Sequence, residues 1–446
     1  MIRNNEVAIT KNGRNAMSFL TKQNIKHLAF IMALVVCFAA PALADVGQAS
    51  TQDLAELNRE LTAKISALER QIDRLEGRVG QAPSVAAVSG GEPGDGVLRV
   101  DGGDIKLTGF VDTSFNWNFQ SPATGVNGNS TLRAFDDNAN TFDLNNIQFD
   151  FSRPAPENGG VGFRTVFMYG SDAQVVEAVR GAGAGNDEFT IQQGYLDIKV
   201  PVGNGLTVLV GRFATLHGAE VIENYKNWNS SRSFLFNLAI PFTHVGARAL
   251  YSMMDGKVTT VLGFVNGWDL TIDNNDVKDL EFQVGYAPSE NFSSTVALML
   301  GSQQLGDRDN ARGLLDIVTK WKPLPESLPK LELMANFDYG WEEQIGVAAE
   351  DGLEDWIGYA LYAKYDLYDW LTLAFRWEQF IDDQGSRIGS GGSRLSSMTY
   401  TADVKTYENL LTRLEYRHDF SVDKNFDSAT SDDQGTLGVS LIYLFG

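Results

Sequence analysis

Between residues 105 and 119 the chain alternates. Ile105, Leu107, Val111, Phe115, Trp117 and Phe119 are apolar, and Lys106, Thr108, Asp112, Ser114, Asn116 and Asn118 between them are polar. A period of two is the mark of a strand with one oily and one wet face. The run is 15 residues long, whereas strands in ordinary globular proteins average about 5–6. A strand that crosses a bilayer obliquely needs about 9–11 residues and extends past the membrane on one side. Its length thus points to lipid, not a protein core, against the oily face.

The same alternation recurs at 142–153, 161–170, 188–200, 206–214, 243–254, 257–266, 280–287, 292–302, 314–322, 331–342, 356–368, 371–381, 397–406, 409–420 and 435–445. With the first run, that predicts sixteen strands. The connectors carry a second rhythm. After odd strands they are long and acidic or rich in Gly and Asn, as at 120–141, 171–187, 215–242, 340–355 and 382–396; after even strands they are short, as at 154–160, 201–205, 255–256, 288–291, 323–330, 369–370 and 407–408. A bacterial outer-membrane barrel keeps that rhythm, with brief turns on the periplasmic side, longer loops outside and an even strand number. Closing the sheet also removes edge strands, whose unpaired amides lipid cannot satisfy. The expected fold is an all-β transmembrane antiparallel barrel of about sixteen strands. Tyr359, Tyr365, Phe375, Trp377, Leu414, Tyr416, Leu437, Val439, Leu441 and Tyr443 fall on the apolar side, with aromatics concentrated near strand ends as an interfacial girdle requires.

The first hundred residues differ. An apolar run from Leu28 to Ala40, 13 residues long, follows Lys22 and Lys26 and precedes Pro41-Ala42-Leu43-Ala44. It is too short to span and reads as a secretory signal, residues 1–44, cleaved after Ala44. Met17 to Ala44 already makes a complete signal. Then Leu54, Leu61, Leu68 and Leu75 stand seven apart, interleaved by Asn58, Ile65, Ile72 and Val79. This d/a seam predicts a short coiled-coil helix over 45–80, in the periplasm, with self-association as its use. Isoleucine at a, leucine at d and a buried asparagine lean toward two strands. Residues 81–100, rich in Ala, Gly, Ser and Pro, read as a flexible linker, and 101–446 as the barrel.

Composition narrows the function. Mean hydropathy is −0.17, too polar for a bundle of membrane helices. Signal cleavage would take the net charge from −21 to −25, since the signal carries five Lys/Arg and one Glu. Such a chain repels nucleic acid. Cys37, the only cysteine, leaves with the signal, so no disulfide or thiolate chemistry is expected. His217, His244 and His418 are too scattered for a metal cluster, and no nucleophile elbow or phosphate-binding glycine loop stands out; Gly181-Ala182-Gly183-Ala184-Gly185 is a flexible stretch in a long loop. No enzyme, cofactor or metal is expected.

The wall charges say more. If Phe375, Trp377, Leu414 and Tyr416 face lipid, then Arg376, Glu378, Arg413, Glu415 and Arg417 face inward, and the same reasoning places Arg164, Arg212, Arg248 and Lys364 in the lumen. A charge facing hydrocarbon at midplane costs about 2–4 kcal/mol. These charges would either neutralise one another in a plugged barrel or line a pore, and sixteen strands leave an aqueous channel. The connector 215–242, with Val221, Ile222, Tyr225, Trp228, Phe234, Phe236 and Ile240, is too apolar to dangle in water. It is expected to fold inward and narrow the channel, turning Glu220 and Glu223 toward the arginine wall, with Arg232 in the same segment; stabilising a subunit contact is the competing use.

Around this segment stand Gly211-Arg212-Phe213-Ala214-Thr215, Gly218-Ala219-Glu220-Val221-Ile222, Asn227, Ser231-Arg232-Ser233, Ala239-Ile240-Pro241-Phe242-Thr243-His244 and Gly246-Ala247-Arg248, with Arg413-Leu414-Glu415-Tyr416-Arg417 and Asp419 further on. In these strings the chain resembles the OmpL-like β-barrel porins (β-barrel porin type 2) from about 105 to 445. The resemblance implies passive diffusion across a Gram-negative outer membrane, commonly by trimers; the heptad seam leans toward a dimer. The expectation is therefore a porin for small hydrophilic solutes or ions. A channel specific for sugars or small organic acids, and a tether from outer membrane to cell wall, are the alternatives. Expected partners are outer-membrane lipid and lipopolysaccharide, further copies of the chain, the barrel-assembly machinery and, through the coiled coil, the cell wall.

Overall fold

The computed structural model describes residues 97–100, 103–120, 132–178, 187–343, 352–389, 391–427 and 429–446. The predicted signal, the coiled-coil helix, most of the predicted linker and the 181–185 glycine stretch lie outside them. Among the described residues there are seventeen strands: β1 (Val97–Val100), β2 (Gly103–Asn118), β3 (Phe142–Arg153), β4 (Gly160–Tyr169), β5 (Phe189–Val200), β6 (Leu206–Ala214), β7 (Thr243–Met253), β8 (Val258–Val265), β9 (Asp279–Ser289), β10 (Phe292–Gly301), β11 (Arg312–Trp321), β12 (Leu331–Glu343), β13 (Leu353–Tyr368), β14 (Leu371–Asp382), β15 (Ser393–Tyr407), β16 (Leu410–Ser421) and β17 (Asp433–Phe445). Among the described residues no helix is long and apolar enough to cross a membrane.

Strands β2 to β17 form one closed antiparallel barrel of sixteen. Each pairs with its neighbours in sequence, and β17 returns to β2, from Thr436 opposite Asn118 to Phe445 opposite Gly109. Closure leaves no barrel strand with an open edge, the condition hydrocarbon imposes. The sixteen predicted strands map one to one onto β2–β17, and the short connectors after β3, β5, β7, β9, β11, β13 and β15 gather at one end. β1 was missed. Val97–Val100, assigned to the linker, is a short strand paired to the start of β2, Val97 opposite Lys106 and Val100 opposite Gly103. Four residues are too few for periodicity to register.

The outward face carries the expected band. Leu196, Leu361, Leu414 and Leu437 are exposed at mid-strand. Trp117, Phe142, Tyr169 and Phe189 cluster at the long-loop ends of their strands, and Tyr286, Trp321, Tyr368, Trp370, Tyr407 and Tyr443 at the short-turn ends. Two aromatic belts flanking an apolar band are the surface of a membrane barrel.

The inside is not an empty tube. A cluster of buried apolar side chains fills part of the bore: Phe234, Leu235, Phe236, Ile240 and Phe242 from the 215–242 connector, Phe135 from the connector after β2, Ala173 and Val176 from a short helix α1 (Ser171–Ala178), and Met299, Leu314, Met334, Trp356 and Phe380 from the wall. Phe110, the one apolar residue in the polar phase of β2, is part of the same arrangement: it is buried edge-on against Tyr225, ring centroids 5.1 Å apart.

Candidate functional site

The bore is organised by the 215–242 segment between β6 and β7. Gly218 turns its root at φ +89°, a left-handed conformation, and a Cβ there would lie 2.4 Å from Ile240 Cδ1. Only glycine fits that turn without strain. Further on, Asn224–Lys226 forms a single 3-10 turn and Leu235–Ala239 a wide helical turn whose Leu235 packs over Gly358 of β13.

Strands β14–β16 hold this segment by charge-assisted hydrogen bonds. Arg376 donates to Glu220 at 2.7 Å and to the Ser231 carbonyl at 2.7 Å. Glu378 accepts from the Phe234 N–H at 2.6 Å and from Ser397. Arg413 donates to the carbonyls of Asn224 and Asn227 at 2.7 and 2.6 Å and pairs with Asp403 at 2.8 Å. Glu415 accepts from the N–H groups of Ser230 and Ser231 at 2.6 and 2.8 Å. Arg417 donates to the Arg232 carbonyl and to Asp419, each at 2.6 Å. All five are buried. Charged groups spent on backbone amides and carbonyls are structural fasteners, stronger than neutral hydrogen bonds.

The other predicted residues distribute as follows. Arg248 is an inner-wall residue that pairs with Glu281 at 2.9 Å and lies 3.9 Å over the Phe213 ring. Arg164 and Lys364 stand inside near the short-turn end, partly open to water: Arg164 grips Asp150 at 2.7 Å, and Lys364 faces Glu332 at 3.4 Å and the Trp228 ring at 5.0 Å. Glu220 also accepts from Ser233 N–H and Oγ at 2.7 Å. Glu223 does not reach the arginine wall; its ion pair is Lys226, three residues on in its own segment, at 3.3 Å. Arg232 caps the segment from within, donating to the carbonyls of Ser230 at 2.7 Å, Val221 at 3.1 Å and Ile222.

Arg212 is on the other side of the wall. In register it opposes Gly194 and Val245, and it shares its phase with Val210 and Leu196, both exposed outward, while the neighbouring Phe213 faces in. Its guanidinium reaches the Ile191 carbonyl at 2.8 Å, next to the bulge between Ile191 and Gln193, and Thr243 Oγ1 at 3.1 Å. The lumen assignment was wrong because Thr207-Val208-Leu209-Val210-Gly211-Arg212-Phe213 is apolar in both phases, so alternation there has no sign.

Several residues that line or enter the bore had no sequence signal. Arg133, from the connector after β2, is buried against Asp419 at 2.7 Å and Asp136 at 2.8 Å. Asp112, Asp136 and Asp172 line a cavity of about 10 Å³ between the segment and the β2–β3–β17 wall, with Ser114, Asn116, Asn145, Ser440 and Arg232. Of its lining atoms without a hydrogen-bond partner, Asp112 Oδ1 and Asp136 Oδ1 are both acceptors. A second, more apolar cavity of about 100 Å³ lies behind the root of the segment, bounded by Leu216, His217, Ile222 and Phe236. His217 is buried there and held neutral, its imidazole pushed down to about 3 by burial and by His244 beside it. Among the described residues no three His, Cys, Asp or Glu side chains gather closely enough to hold a metal.

The model of the OmpL-like β-barrel porin-2 family matches residues 104–445. The chain belongs to this family. Its fold, a closed barrel with a long third loop inside, is that of outer-membrane porins. The outer-membrane channel DcaP of Acinetobacter baumannii superposes with TM-score 0.53 at 14% identity, covering 77% of this chain and 97% of that one. OmpF of Salmonella typhi, solved in complex with daunomycin, gives TM-score 0.51 at 14% identity over 78% of this chain and 100% of that one. OmpT of Vibrio cholerae in its trimer form gives 0.50 at 10% identity, over 76% and 99%. At these identities the likeness is one of fold. No curated protein matches the sequence.

Proposed function

We propose that this barrel is a diffusion porin of the outer membrane whose narrowest opening runs between the 215–242 segment and the β2–β3–β17 wall, and that it favours small cations. The observation that carries this reading is the contrast between the basic wall that grips the segment and the acidic and small polar lining of the cavity beside it. The arginines of β14–β16 hold the segment, while the adjoining wall of β17 and β2 presents Asp112, Ser114, Asn116 and Ser440, small polar or acidic groups of which Asp112 keeps Oδ1 without a hydrogen-bond partner. Arg232 supplies the facing positive charge, so the field across the gap runs from segment to wall, opposite to an acidic loop facing a basic wall. Rings of carboxylates select cations, and a transverse field orients dipolar solutes.

Self-association accompanies this reading, supported by the trimer form of the similar V. cholerae barrel. A cleaved signal at 1–44 and a periplasmic coiled coil at 45–80 complete the proposed layout. Purified protein in a planar bilayer under a salt gradient tests the function: the reversal potential should show cation preference, and Asp112→Asn combined with Asp172→Asn should move it toward anions. Absence of any conductance, or a reversal potential that the double substitution does not move, would overturn the assignment.

A further inference from the structure

Across β13 from the arginine wall, the root of the segment meets a different device. Asp316 of β11 and Asp338 of β12 stand directly across from each other in the ladder, both on the inner face and both fully buried. Side chains so placed have Cβ atoms about 4.5–5.5 Å apart. Of their four carboxyl oxygens only Asp316 Oδ2 has a donor in hydrogen-bond geometry, the Asn336 amide at 2.8 Å; Asp316 Oδ1 and both oxygens of Asp338 have none. Asn336 in turn accepts from the Ala219 N–H at 3.1 Å, and the Gly218 N–H lies against the Asp316 carboxyl. Asp316 and Asn336 thus hold two successive backbone amides at the point where the segment leaves the wall.

Among the described residues no cation balances the two carboxyls. Across β10 the residue opposite Asp316 is Ala297, and across β13 the residue opposite Asp338 is Gly358, over which Leu235 packs. The flanking charged and titratable groups face elsewhere: Glu220 is committed to Arg376, and His217 interacts with His244, Glu281 and Arg248. Two adjacent carboxylates cannot both ionise in a buried site without a counterion, because neither water nor a partner offsets their repulsion. Asp316, which has the donors, is the better anion. Asp338, which has none, is the one to keep the proton.

We propose that Asp316 and Asp338 share one proton, with Asp338 donating to Asp316, and that this proton latches the root of the 215–242 segment to the wall. Loss of the proton sets two carboxylates against each other and displaces Asp316 from Gly218 and from Asn336, which holds Ala219. The segment then swings from the β11–β12 side while β14–β16 still hold its middle. The switch rests on the reading that the segment narrows a conducting bore, but the shared proton does not.

Two measurements separate these layers. Infrared spectra of the purified barrel in deuterated buffer at neutral pH should show a protonated carboxyl band that Asp338→Asn removes. Single-channel recordings from about pH 6 to about pH 9, above the range in which His217 titrates, should show the wider state gaining occupancy by up to about tenfold per pH unit, the slope of one proton. Asp338→Asn keeps the shape and cannot ionise, so its occupancy should stay flat. If that variant does not fold, loss of the wild-type carboxyl band in step with the conductance rise carries the same information. A missing carboxyl band, or an unchanged pH response in a folded Asp338→Asn protein, overturns the proposal. So does a band that calcium abolishes and EDTA restores, which would make a metal ion the latch. A carboxyl band in a barrel that conducts nothing at any pH would instead keep the shared proton and discard the channel reading.

Discussion

Two stretches of the inner wall are equally polar in sequence and opposite in behaviour. On β14–β16, Arg376, Glu378, Arg413, Glu415 and Arg417 each meet the folded-in segment with a hydrogen bond or ion pair between 2.6 and 2.8 Å. On β2 and β17, Asp112, Ser114, Asn116 and Ser440 border a cavity of about 10 Å³, and Asp112 accepts from Asn224 with one oxygen and keeps the other unpaired. Facing inward is therefore not the same as lining a pore. What distinguishes the two walls is whether something polar has arrived to satisfy them, because a buried charge without partners is too costly to persist.

Substitutions can break this contrast. The largest effect is expected from Arg376→Ala, which leaves Glu220 buried without its cation and Glu378 with Arg417 alone, at 3.6 Å, a loss of about 3–5 kcal/mol in the anchoring of the segment. Recordings should show larger, noisier conductance, and the barrel should unfold in detergent at a lower temperature. If instead only ion preference changes, Arg376 lines the pore and the two walls are alike. A smaller effect follows from His217. Its proton affinity in the fold is lowered from the usual 6.5 to about 3, so the unfolded chain binds the extra proton more readily. The stability this group contributes is complete above about pH 6.5 and is lost as pH falls toward about 3, and His217→Asn should flatten that acid limb in a melting series. The smallest is Arg164→Ala. Its pair with Asp150 is partly open to water at the short-turn end, so the melting temperature should shift by the equivalent of about 1 kcal/mol or less, with segment and selectivity unchanged.

The barrel was legible in the sequence to within a few residues per strand. Alternation is written locally: successive side chains point to opposite sheet faces whatever lies beyond them. The inside was legible only in outline. The greasiness of Phe234, Phe236 and Ile240 announced a segment that must leave water. Phe110, Leu314, Met334 and Phe380 interrupt the wet face of their strands, and form the wall against which that segment packs. Arg133, Phe135 and α1, which also enter the bore, sit in connectors with no periodicity to mark them.

The sequence by itself determined which residues are strand, how many strands close the sheet, and which side of nearly all of them meets lipid, because each depends on neighbours two positions away. Only the tertiary structure decided which inward charges are spent and which remain free. That depends on partners more than a hundred residues distant, such as Glu220 with Arg376 or Asn224 with Asp112. Only the packing of the segment against the wall brings those together.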